Sequence, residues 1–211
     1  KIMKTKVKLI YSLFAISFLL LMFSCEPQQQ TIQKSTFTYS IKGSDTLQLD
    51  MYNNPNITGE KPCVLFMFGG GFMGGSKSED NNVAYMHKLA EKGYMAVAID
   101  YRLGLKDIAP EQLGNMSHFA KLLYNAVNIA VEDLFDATNY VYDNASSWGI
   151  KKDLIIASGS SAGAISVLQG IYYISNKHPE FINKLPEGFN YAGVISFAGA
   201  ILAGEELVWS D

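Results

Sequence analysis

Apolar residues along this chain of 211 residues follow two spacings, which predict strands and helices in alternation. "TFTYSIKG" and "DTLQLDMYNN" alternate apolar and polar residues about a Gly-Ser turn, and this pattern predicts an antiparallel hairpin. Later apolar runs are continuous, as in strands that are covered on both faces. These runs lie at 63–68, 95–103, 154–158 and 192–199.

Helical spacing separates the continuous runs. Apolar residues recur three and four positions apart in segments that predict helices at 81–93, 117–148 and 162–176. Strands that alternate with helices form parallel sheets, because each crossover returns the chain to the same end of the sheet. The sequence therefore predicts an α/β fold with a mostly parallel, doubly wound sheet and an N-terminal antiparallel hairpin.

The first 24 residues have the composition of an export signal. A lysine-bearing start, "KIMKTKVK", precedes an apolar run over 10–23 that is short for a bilayer span. The ending "LLLMFSC" is similar to the lipobox of bacterial lipoproteins, in which the cysteine, here Cys25, is lipidated. We therefore expect a lipoprotein anchored to the cell envelope, with a secreted protein as the alternative. Residues 25–36 are then a polar tether, and 37–211 form one domain.

Charge and cysteine content exclude some functions. The net charge is −3, and four of the 17 basic residues precede residue 25, where no acidic residue lies. Arg102 is the only arginine. A surface so poor in basic residues argues against nucleic acid as a partner. The second cysteine, Cys63, lies within "CVLFMF", which favours a buried apolar role over a catalytic one.

The stretch "LIIASGSSAGAIS" contains the first candidate for chemistry. It passes from a buried strand into a helix through Gly159-x-Ser161-x-Gly163. A serine on such a turn has a strained backbone, and small residues two positions away on each side avoid a clash. The helix N-terminus below it favours negative charge. The alternatives are a serine N-cap and a phosphate-binding loop.

A glycine-rich loop supplies a second candidate. "FMFGGGFMGGS" places three glycines, Gly69, Gly70 and Gly71, where the strand at 63–68 ends. Backbone amides without a neighbouring Cβ can approach a developing oxyanion closely. A dinucleotide loop could use Gly69, Gly71 and Gly74, but the intervening Phe-Met pair and the absence of a suitable following acid argue against it.

Taken together, "FGGGFMGG", "AIDYRLG", "VEDLFDATNYVYDNASSWGI" and "IIASGSSAGAIS" resemble the carboxylesterase and lipase-like branch of the α/β-hydrolase superfamily. The resemblance implies that Ser161 is the nucleophile. It also implies that the amides of Gly70, Gly71 and Ala162 form the oxyanion hole, and that no metal or organic cofactor is needed. Phe68 stands where many relatives have histidine, but the donors are backbone groups.

The resemblance also gives structural roles to four charged residues. Asp100 and Arg102 are expected to brace the loops around the oxyanion strand. Asp133 and Asp136 are expected to serve packing and hydrogen bonding, not catalysis.

The partners of a catalytic serine are harder to place. His178 is the only histidine after Ser161, and a regular helix would put it more than about 20 Å away. His87 and His118 precede the serine in predicted surface helices. In the family the acid and the histidine follow further strands. We therefore expect an incomplete hydrolase domain without its last strands, inactive on its own.

The sequence thus favours a serine esterase that forms an acyl-enzyme intermediate. Its substrates would be small esters or acylated carbohydrates. Two alternatives remain: a serine peptidase of the prolyl-oligopeptidase type, and a non-catalytic binding protein with the same fold.

Overall fold

A computed structural model describes residues 31–109, 111 and 116–202. The proposed signal and Cys25 lie outside these residues. The described elements belong to the compact unit that begins at Ile32. No helix among them is long and apolar enough to cross a bilayer.

Six strands and three helices make up the regular part of this unit. The strands are β1 (Gln33–Lys42), β2 (Asp45–Asn53), β3 (Lys61–Met67), β4 (Met95–Ile99), β5 (Ile150–Ser160) and β6 (Gly193–Phe197). The helices are α1 (Asp80–Glu91), α2 (Met116–Trp148) and α3 (Ala162–Ser175).

The six strands form one sheet in the order β1-β2-β4-β3-β5-β6. β1, β2 and β4 pair antiparallel, whereas β4, β3, β5 and β6 pair parallel. Helix α1 connects β3 to β4, toward the β1 edge of the sheet. Helices α2 and α3 lead in the opposite direction, first to β5 and then to β6. Right-handed crossovers therefore place α1 on one face and the other two helices on the opposite face. The predicted doubly wound architecture is confirmed.

The N-terminal hairpin turns at Gly43, where φ is +62°, a value that favours glycine. β1 begins at Gln33, four residues before the predicted start of the domain at Phe37. The polar residues 33–35 show no apolar alternation, so the pattern there does not predict a strand. Backbone pairing extends the ladder nevertheless, because Gln33 lies opposite Asn53 in β2.

Arg102 joins the end of β4 to helix α2 through an ion-pair network. Its guanidinium donates to the carboxylate of Asp133, with Nη2 at 2.8 Å from Oδ1, and to Glu132 Oε2 at 2.6 Å. Asp133 is fully buried and also accepts the backbone N–H of Arg102. Burial raises the pKa of Asp133. Burial would also raise the pKa of Glu132, but hydrogen bonds from Arg102 and Lys184 lower it to about 2.

The neighbouring Asp136 ties the hairpin to the same helix. Its carboxylate accepts a hydrogen bond from Ser40 Oγ at 3.1 Å and pairs with Lys42 Nζ at 2.7 Å. Together with the Arg102 contacts, these bonds give the acidic positions of α2 the structural partners that the resemblance implied.

Cys63 lies in β3 and is fully buried, as the sequence pattern predicted. Burial raises the pKa of its thiol to about 12, so the thiolate is scarcely populated at neutral pH. The neutral thiol is consistent with the role of Cys63 as a small apolar residue in the core.

Candidate active site

Ser161 occupies a sharp turn between β5 and α3. Its backbone has φ +49° and ψ −115°, outside the regions that L-residues favour. Such a conformation costs about 1–3 kcal/mol and persists only where the surroundings enforce it. The residue is exposed, although β5 and the first turn of α3 are largely buried.

Two glycines make the turn sterically possible. A Cβ at Gly159 would lie 2.4 Å from the carbonyl carbon and oxygen of Gly163. A Cβ at Gly163 would lie 2.3 Å from the carbonyl oxygen of Met67 in β3 and 2.6 Å from that of Phe68. The start of α3 therefore packs directly against the backbone of two strands, which only glycine at both positions allows.

Hydrogen bonds to the backbone of Ser161 fix its position. Its N–H donates to the carbonyl oxygen of Phe197 in β6 at 2.8 Å, and its carbonyl accepts from Ile165 N–H at 2.9 Å. The side chain forms no capping bond to α3, so a role as N-cap does not explain the serine. The exposed serine therefore stays a candidate for chemistry.

The glycine-rich loop lies directly beside this serine. A Cβ at Gly69 would lie 3.3 Å from the Ser161 Cβ and 3.1 Å from the Ser160 carbonyl oxygen. The parallel pairing of β3 with β5 causes this proximity, because Met67 stands opposite Gly159 in the register. Both candidates for chemistry therefore meet at the carboxyl ends of adjacent strands, where ligands bind in sheets of this kind.

Gly70 and Gly71 have φ values of +137° and +64° and are exposed. Within the described part of the chain, their amides donate no backbone hydrogen bond. Ala162 is the first residue of α3, a position whose amide has no intrahelical partner. These three amides, two in the glycine-rich loop and one at the start of α3, are thus available to an external acceptor, as an oxyanion hole would require.

Aromatic side chains on either side of the three glycines pack against Tyr101 and hold the glycine-rich loop in place. Phe72 is buried and contacts the ring of Tyr101 edge-on, and Phe68 contacts the same ring at 4.5 Å between centroids. The Tyr101 hydroxyl donates to the Phe68 carbonyl oxygen at 2.9 Å, and burial raises its pKa. A dinucleotide-binding role is not supported, because Phe72 fills the middle of the G-x-G-x-x-G spacing.

The three histidines make contacts of other kinds. The ring of His87 on α1 packs edge-on against Tyr52 at 5.4 Å. His178 lies beyond the end of α3, and its ring packs at a tilt against Tyr173, with 4.4 Å between the centroids. His118 is exposed on α2. Within the described residues, no histidine hydrogen-bonds to Ser161.

Within the described residues, no group of three or more His, Cys, Asp or Glu side chains is arranged to hold a metal ion. Sequence reasoning missed two residues that support the loop, Lys77 and Tyr101. The residues next to Lys77 and Tyr101 in the sequence do not predict their contacts, because each contact joins distant segments that only the order of strands brings together.

Comparison with known proteins agrees with this geometry. The family model BD-FAE matches residues 49–128. Gut esterase 1 of Caenorhabditis briggsae is 28% identical over 146 residues, which cover 69% of this chain and 24% of that protein. Acetylcholinesterase of Gallus gallus is 33% identical over 123 residues, which cover 58% of this chain and 15% of that protein. The chain spans about a quarter or less of the length of these relatives.

A solved structure extends the likeness to the fold. The propionate-bound form of a thermophilic esterase from Thermogutta terrifontis superposes with a TM-score of 0.60 and 22% sequence identity. The match covers 89% of this chain and 61% of that chain. The overall fold of this chain is thus one that this esterase shares.

Proposed function

We propose that this chain, which is similar to carboxylesterases and has the α/β-hydrolase fold, hydrolyses carboxylic esters through Ser161. The observation that carries the proposal is the turn itself. An exposed serine at φ +49° is fixed between two obligatory glycines and lies beside a loop with free amides. Strain of this kind is retained where function requires it.

The chemistry follows from these groups. Ser161 Oγ attacks the ester carbonyl carbon, and its proton passes to a general base. The carbonyl oxygen becomes an oxyanion, which accepts hydrogen bonds from the amides of Gly70, Gly71 and Ala162. Collapse expels the alcohol, which takes the proton, and leaves an acyl-enzyme. Water then attacks the acyl carbon and releases the acid.

A fluorophosphonate probe tests whether Ser161 is an activated nucleophile. The serine oxygen would displace fluoride, and we expect one covalent adduct on the peptide 153–177 of the native full-length protein. Fragmentation should place the adduct on Ser161, and heat-denatured protein should not react. Ser160→Ala is the matched control, because it removes the adjacent hydroxyl and should still be labelled. An adduct on another serine would contradict the assignment to Ser161, and the absence of any adduct would favour a binding protein.

For the substrate we propose small esters or acyl groups carried on carbohydrates, as suits an exported protein. The names of the relatives supply only the esterase class. A comparison of p-nitrophenyl acetate, an acetylated xylan oligosaccharide and a prolyl p-nitroanilide separates the candidates. Turnover of the anilide alone would favour the peptidase alternative.

We further propose that the protein is exported and anchored to the envelope through lipid on Cys25. Cys25→Ser should abolish incorporation of an alkynyl fatty acid and move the protein to the soluble fraction. Cys63→Ala is the control, because this cysteine is buried in β3 and should leave the label in place. Labelling that persists in Cys25→Ser would disprove the lipid site, and a secreted protein would carry no label at all.

A further inference from the structure

Lys77 is buried although it carries a charged side chain. Only 7% of the residue is exposed, and it lies two positions after Gly75 at the end of the glycine-rich loop. Lysine is almost never buried to this degree unless a partner compensates the charge. Its surroundings therefore indicate what the side chain does.

Two carboxylates face the ammonium group. Lys77 Nζ donates to Asp100 Oδ2 at 2.7 Å and lies 4.0 Å from Asp50 Oδ2. Asp100 directly follows β4, and Asp50 lies in β2, where it is 2% exposed. Lys77 thus connects the loop after β3 to β4 and β2, which lie on the side of β3 opposite to β5.

The two carboxylates are themselves fixed in place. Asp50 Oδ1 accepts from Thr36 Oγ1 at 2.7 Å, and its Oδ2 pairs with Lys34 Nζ at 2.9 Å. Asp100 Oδ2 also accepts the backbone N–H of Gln48 at 3.3 Å. Lys77 is therefore attached to a network that spans the antiparallel side of the sheet.

The loop between β3 and Lys77 is compact. Its first and last residues contact each other, so the positions of its two ends determine where the glycines between them lie. A Cβ at Gly70 would lie 2.0 Å from the Gly74 carbonyl oxygen, and one at Gly75 would lie 2.3 Å from the Gly69 carbonyl oxygen. Met73 and Gly74 both donate backbone hydrogen bonds to Gly70 at 3.1 Å. The hydrogen bond from Tyr101 to Phe68 holds the start of this folded loop, and Lys77 holds its end.

We propose that Lys77 is a positioning residue for the oxyanion hole, which acts by fixing the glycine-rich loop against Ser161. The inference rests on the proposed esterase function. An oxyanion forms only on the way to the tetrahedral intermediate, so misplaced amides weaken the transition state more than the bound ester. A displacement of about 1 Å can cost on the order of 100-fold in rate.

Lys77→Met tests the proposal in the full-length protein. We expect kcat for p-nitrophenyl acetate to fall by about 10- to 100-fold, with KM nearly unchanged. Affinity for a trifluoromethyl ketone, which forms an oxyanion on the serine, should fall in parallel with kcat/KM. Lys88→Met is the matched control, because Lys88 pairs with Glu91 at 2.9 Å on an exposed surface of α1. It should leave kcat and inhibitor affinity unchanged.

Asp100→Asn weakens the same ion pair from its other side and gives a second measurement. It should lower kcat in the same way, and the double variant with Lys77→Met should lose little more than either alone. If Lys77→Met does not fold, Asp100→Asn alone decides the outcome. A kcat equal to wild type in a folded variant, or a rise in KM alone, would overturn the positioning role.

Failure of the proposed function gives a different result. If it is wrong, the wild-type protein shows no ester turnover that depends on Ser161. If only the positioning role is wrong, the wild-type protein hydrolyses the ester, Ser161→Ala does not, and Lys77→Met matches wild type.

Discussion

Replacement of Ser161 by alanine should lower kcat for p-nitrophenyl acetate by at least about 1,000-fold in the full-length protein. In the proposed mechanism the hydroxyl oxygen forms the bond to the acyl carbon, and no other exposed residue with a hydroxyl lies on the strained turn. Burst kinetics with the wild-type protein should show one equivalent of p-nitrophenol released before the steady state, and the variant should show none. Turnover that survives the substitution would contradict the assigned nucleophile.

Two further substitutions, one at the preceding residue and one at Ser161 itself, accompany this experiment. Ser160→Ala removes a hydroxyl one residue away and should leave kcat close to the wild-type value. Ser161→Gly should abolish activity and yet raise the midpoint of thermal unfolding, since glycine adopts φ +49° without steric strain. The strain relieved, about 1–3 kcal/mol, exceeds the loss of about 0.5–1 kcal/mol from the greater backbone freedom of glycine. A lower midpoint would show that the turn stores no strain.

Gly163→Ala should destabilise the fold by about 3 kcal/mol, at the upper end of the range for overpacked cores. Alanine is the better helix former by about 1 kcal/mol, which works against this result. The added Cβ, however, would lie 2.3 Å from the Met67 carbonyl oxygen, a backbone atom in the middle of the sheet that cannot move alone. Urea unfolding followed by circular dichroism measures the net effect.

Gly193→Ala is the matched control for this substitution. Gly193 begins β6, and a Cβ there would have no atom within 4 Å. This variant should unfold at the same urea concentration as the wild-type protein. If Gly163→Ala also matched wild type, the close approach of α3 to β3 would not limit the choice of residue at this position.

Local features of the site could be predicted from the sequence because neighbours in the chain produce them. The strand, the turn and the helix around Ser161 are consecutive, so glycines two residues away on each side were enough to predict the elbow. The hairpin about Gly43 was predictable for the same reason. The start of β1 was not, since pairing of Gln33 with Asn53 depends on the backbone of β2 rather than on apolar side chains.

Contacts between distant segments could not be predicted in this way. Nothing near Lys77 in the sequence shows that its ammonium meets the carboxylates of Asp100 and Asp50. Nor does the local pattern show that His87 packs against Tyr52. Each of these arrangements depends on the order of strands in the sheet.

The sequence by itself determined the α/β class, the strained serine and the run of free glycine amides, because periodicity and backbone freedom are properties of short segments. The tertiary structure alone decided that these two features meet. It pairs β3 with β5 in a register that sets Gly69 against Ser161, and it places β4 and β2 where Asp100 and Asp50 can hold Lys77. The physical reason is that burial of both faces of the sheet selects one strand order, and this order brings distant residues within contact distance.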